Sequence, residues 1–109
     1  MKNGTYKVEF QTPRGAGGGV IVLLDGIVRG GDSAMYYLGN YQLTGTQFTA
    51  TVHIGRHSGT QQTFPSVFGV DRISINATGT AGDDSARLTA TSPAVPGVQL
   101  TAVLTRIGD

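Results

Sequence analysis

Hydrophobic and polar positions alternate with a period of two over most of the chain. Tyr6, Val8 and Phe10 interleave with Thr5, Lys7 and Glu9, so one side of this segment can be buried while the other stays wet. The same pattern predicts a strand over 47–57, where Phe48, Ala50, Val52 and Ile54 oppose Thr49, Thr51 and His53. It recurs over 71–80 with Ile73, Ile75, Ala77 and Gly79 inward, over 85–92 with Leu88 and Ala90 inward, and over 98–107 with Leu100, Ala102 and Leu104 inward. Ser33 to Leu43 reads as a further strand, with Tyr37, Gly39, Tyr41 and Leu43 on one face and Tyr36, Leu38, Asn40 and Gln42 on the other. Gly18 to Leu24 is a continuous run, expected to be covered on both faces or to meet a partner on its outer face.

Turn chemistry separates these segments. Asp25-Gly26 between apolar runs signals a two-residue hairpin into a short return strand, Ile27 to Arg29, which Gly30-Gly31-Asp32 halts. Thr12-Pro13-Arg14-Gly15-Ala16-Gly17, Thr44-Gly45-Thr46, Ala81 to Asp84 and Pro93 to Gly97 supply the other short links. Residues 55–67 lack a clear period, and Ser58 to Thr63 reads as a loop available for function, re-anchored by Phe64 to Val67. About eight antiparallel strands thus follow one another as a meander. Such a meander closes into an up-and-down β-barrel, which removes unpaired edges.

Composition narrows the reading. With 109 residues the chain makes one domain spanning residues 1–109. Its 17 glycines are more than twice the usual share of about 7%, and typical helices of about 11–12 residues have almost nowhere to sit. Lys plus Arg number 8 against 7 for Asp plus Glu, which gives no basic surface for nucleic acid or anionic lipid. The absence of cysteine removes disulfides and thiolate chemistry. The N-terminal segment lacks the apolar stretch of a signal peptide, and the longest apolar run, Val20 to Leu24, falls far short of the roughly 18 residues of a spanning helix, so a cytoplasmic location without membrane association is expected.

Candidate chemistry is sparse. His53 and His57 lie about 13 Å apart if both are on a strand, too far to share a zinc ion. Arg14-Gly15-Ala16-Gly17-Gly18-Gly19 has a valine where a dinucleotide-binding fingerprint needs its last glycine, and a strand follows instead of a helix; it reads as a hairpin turn. Gly31-Asp32-Ser33-Ala34-Met35 fails the nucleophile-elbow pattern at Met35. The carboxylates other than Glu9 fall in turns, at strand ends or at the terminus. No catalytic, metal or cofactor site is expected. Tyr36, Tyr37, Tyr41, Phe48, Phe64 and Phe68 fill a core or line a cavity; as neighbours, Tyr36 and Tyr37 face opposite ways, which leaves one of them as an exposed interface anchor. With Val20 and Val22 they form the expected dimer or partner interface. Tyr41, Phe48, Ala50, Ala77 and Ala90 are the expected cavity wall, since small inward residues, Gly79 and Ala102 among them, leave volume unfilled.

Met1-Lys2-Asn3-Gly4-Thr5-Tyr6, Gly30-Gly31-Asp32 followed by Tyr37-x-Gly39, and Pro65-Ser66-Val67 resemble the GrlR-type negative regulators of type III secretion. The resemblance implies a lipocalin-like eight-stranded barrel that forms a homodimer and represses gene expression by sequestering a transcriptional activator without touching DNA. Members acting on that activator carry four acidic residues in the turn where this chain has Leu43-Thr44-Gly45-Thr46, so electrostatic recognition of a basic partner does not carry over. The resulting expectation is a non-enzymatic regulator working through protein contact. The alternative is a carrier of one small apolar molecule.

Overall fold

A computed structural model describes residues 1–13, 15–57 and 72–109. Eight strands run in chain order: β1 (Gly4–Thr12), β2 (Gly15–Leu24), β3 (Ile27–Gly31), β4 (Met35–Thr44), β5 (Gln47–Arg56), β6 (Arg72–Ala81), β7 (Ser85–Thr91) and β8 (Gln99–Gly108). Each pairs antiparallel with its neighbour, and β1 pairs with β8, so the sheet closes into a barrel with no helix among the described residues. The alternation sets the register. Tyr6, Ile21, Leu23, Val28, Tyr37, Phe48, Ile75, Ala90 and Leu104 all turn into the lumen, while Lys7, Glu9, Thr51, Asn76 and Arg87 face outward.

The hairpins follow from local residues. Asp25 and Gly26 both have positive φ, 49° and 87°, the backbone of the tight turn that matches strand twist. Within the strands, a Cβ at Gly39 or Gly79 would collide with the carbonyl of Thr51 or Arg87, so these positions let neighbouring strands cross closely as the sheet coils.

Three expectations change. The segment Gly15 to Gly19, read as part of a hairpin turn, is instead the first half of β2, paired residue for residue with Val8 to Thr12. Its partner strand supplies enough alternation to hold a glycine run extended. The return strand β3 continues through Gly31, because Gly30 and Gly31 pair with both Val20–Ile21 and Tyr36–Tyr37. The run Val20 to Leu24 is not covered on both faces, the first of its two expected alternatives: Ile21 and Leu23 are buried, and Val20, Val22 and Leu24 are exposed. The loop Ser58 to Thr63, its anchor Phe64 to Val67, Phe68, Asp71 and Arg14 lie outside the described residues.

One end of the barrel is closed. The fully buried Tyr6 donates its hydroxyl to the Lys2 carbonyl at 2.6 Å, which draws the N-terminal segment across the opening, and the Lys2 amide bonds the Asp83 carbonyl at 2.9 Å. Burial raises the Tyr6 pKa, opposed by the Arg106 charge, so the phenol stays a donor. Met1 packs against the core, and the Tyr41 and Phe48 rings stack with centroids 5.3 Å apart.

Candidate ligand-binding cavity

Above the Phe48 layer the lumen is hollow. A cavity of about 440 Å³ lies between the sheet walls, within the range of small-molecule sites. Its wall is built by inward positions of short or branched side chains: Ala50 and Val52 on β5, Ala77 on β6, Ala90 on β7, Ala102 and Leu104 on β8. An eight-stranded barrel is only just wide enough for large inward side chains to meet, so alanines at facing positions leave space. The Ala50–Ala77 and Ala77–Ala90 pairs are direct cross-strand partners, which concentrates that space on one side.

The opposite wall is the glycine run of β2. A Cβ at Gly17 would fall 2.7 Å from Cε2 of Phe10, and one at Gly19 would fall 3.0 Å from the Tyr37 hydroxyl. Bare backbone there makes room for two inward rings. The exposed lining residues Ala16, Gly18 and Ser33 place the mouth between the β1–β2 hairpin and the β3–β4 link.

Only three lining residues carry polar side chains among those described: Asp32, Ser33 and Tyr37. Asp32 holds the β3–β4 link. Its Oδ1 accepts from the amides of Ala34 at 2.9 Å and Met35 at 2.7 Å, and its own amide donates to the Met35 carbonyl. This side-chain mimic of a turn is the usual work of Asp next to a chain reversal. Its Oδ2 accepts a short hydrogen bond from the Tyr37 hydroxyl. Burial, and then the bond to Asp32 and its charge, push the Tyr37 pKa far above the ordinary phenol value, so Tyr37 remains protonated and donating.

Of the expected cavity residues, Phe48, Ala50, Ala77 and Ala90 lie in the wall. Tyr41 does not; it sits toward the closed end, stacked on Phe48. Of the expected interface residues, Val20 and Val22 are on the outer face, but Tyr37 is buried in the lumen at 6% exposure and cannot serve as a surface anchor. Tyr36 is not fully exposed either, because Gly55 opposite it on β5 lets the ring lie down across the sheet in a shallow surface groove with His53, Ser74 and Pro93. Asp32, read as a turn residue, and Met35 and the glycines of β2 were not expected to line a site; the signal available was Asp32 placed two and three residues before amides that need an acceptor.

Among the described residues no other chemistry converges. His53 Nδ1 and Ser74 Oγ are 2.6 Å apart as an exposed cross-strand pair, and among the described residues no carboxylate bonds the other ring nitrogen. No group of three or more metal-ligating side chains occurs among the described residues. No described helix is long and apolar enough to cross a membrane. No protein-family model matches the chain, and no curated protein matches it at a significant level.

Proposed function

We propose that this barrel is a non-enzymatic binding protein that holds one small, mostly apolar molecule in its lumen. The observation that carries the reading is the 440 Å³ hollow walled by Val8, Ile21, Leu23, Val28, Val52 and the facing alanines. Moving apolar surface out of water yields about 0.8 kcal/mol per buried methylene, so the hollow rewards an alkyl chain and gives little to a polar solute. Straight-chain alcohols of increasing length test this by calorimetry. Affinity should tighten about fourfold per added methylene until the lumen is filled, with one molecule per barrel, and a flat series would contradict the proposal. Native mass spectrometry of gently purified protein is a second check, expected to show a retained small-molecule adduct.

A second reading is supported by the outer face. Val20, Val22 and Leu24 on β2, Ile27 on β3 and Leu38 on β4 are all 41–54% exposed, and register places them together, Leu24 opposite Ile27 and Val22 across Arg29 from Leu38. An exposed apolar cluster on a sheet, here with Arg29 between Val22 and Leu38, marks a protein contact. On this reading the barrel is a cytoplasmic regulator that meets a second copy of itself or another protein, in keeping with the resemblance to GrlR-type repressors. The β4–β5 hairpin, Gly45-Thr46, carries no acidic side chain, so any partner recognition rests on the cluster and not on that turn. Sedimentation at micromolar concentration tests self-association; a monomer only would remove the dimer.

A further inference from the structure

The polar groups at the mouth define which head group the cavity prefers. We propose that it selects an alkyl amine, with the chain in the lumen and the ammonium group on Asp32; this rests on the ligand-binding reading above. Asp32 is the one charged side chain in the described lining, and among the described residues no lysine or arginine lines the cavity with it. Among the described residues none forms an ion pair with it. Arg56, which lies across from Met35, is half-buried, and the exposed His57 directs Nε2 to the Asp32 main-chain carbonyl at 3.0 Å.

The hydrogen-bond capacity of this carboxylate is only partly used. Each oxygen accepts two bonds. Oδ1 is filled by the Ala34 and Met35 amides, whereas among the described residues Oδ2 receives only the Tyr37 hydroxyl. The phenol oxygen, whose proton is committed to Asp32, keeps its own lone pairs. A donor arriving at the mouth therefore finds two acceptors side by side, one of them a carboxylate oxygen. An ammonium satisfies both and pairs with the carboxylate; an alcohol supplies a single donor; a carboxylate meets repulsion and no donor other than Ser33. The net charge of the chain, +1, would draw a carboxylate at long range, so a preference for the amine reports the local geometry.

The experiment is calorimetric titration at neutral pH with decylamine, decanol and decanoate, each below its micelle concentration, into the wild-type chain, Asp32→Asn and Tyr37→Phe. Asparagine keeps an oxygen for the Ala34 and Met35 amides, so the β3–β4 link is retained. The expected wild-type order is amine, then alcohol, then carboxylate, with the amine about tenfold tighter than the alcohol, the scale of one charge-assisted bond. Asp32→Asn should bring the amine to the alcohol's affinity and leave the alcohol unchanged, while Tyr37→Phe keeps the amine preference. Equal binding of amine and alcohol, tightest binding of decanoate, or a preference that survives Asp32→Asn would overturn the head-group assignment and leave the apolar site standing. No binding of any of the three would overturn both.

Discussion

The Phe10 ring lies directly over Gly17, its register partner on β2, with no room between them for a methyl group. This pair forms one side of the cavity mouth, and it explains why a run of glycines serves better in this wall than the valines that follow. A Cβ at Gly17 would meet Cε2 and Cζ, the far end of the Phe10 side chain, so the ring must shift to admit it. Gly17→Val should therefore weaken alkyl-ligand affinity at least severalfold while altering the unfolding midpoint little, read by calorimetry and thermal melting on the same sample.

The alanine wall gives the opposite test. Ala90 is 1% exposed and faces the hollow, so the added carbons of Ala90→Leu enter empty space. Burial of that side chain should add about 1 kcal/mol of stability and raise Tm by roughly 4–8 °C, with ligand binding lost. A drop in Tm would mean that the lumen is already filled by protein.

Tyr37 links the mouth to alkaline stability. Its folded-state pKa is raised, chiefly by burial and then by Asp32, so its contribution is fully present below the unfolded phenol pKa of about 10 and is lost as pH rises from there toward the folded value. Urea midpoints measured from about pH 8 to 11 should fall more steeply above pH 10 for the wild type than for Tyr37→Phe. Tyr6, raised by its own burial, leaves a residual slope in the variant.

On the outer face, Val22 is exposed and makes no contribution to the lumen. Val22→Lys should change stability by no more than about 0.5 kcal/mol and leave alkyl binding intact. If the cluster mediates self-association, the same variant sediments as monomer where the wild type is dimer.

The barrel was legible in the sequence because closure needs only alternation and turn chemistry, and both are local. Gln47 to Arg56 and Arg72 to Ala81 show this, each inward residue falling where the period puts it. Gly15 to Gly19 misled for a physical reason: glycines signal turns by their backbone freedom, whereas here β1 holds them extended and their lack of side chains is what matters. Tyr36 and Tyr37 show the limit of the period. It says that they face opposite ways, but which one is inside depends on Gly19 and Gly55, residues distant in sequence that make space for each ring. The hollow was partly legible in the small inward residues Ala50, Ala77 and Ala90; its position above the Tyr41–Phe48 stack was not, because that depends on how all the strands stagger around the barrel.

The most direct test is methyl NMR of the labelled chain titrated with decanol. Bound ligand in the lumen should shift the methyl signals of Ile21, Leu23, Val28 and Leu104, which line the cavity, and leave those of Val20, Val22 and Leu24 on the outer face in place. Shifts confined to the outer methyls, or none at all, would contradict a ligand-binding lumen.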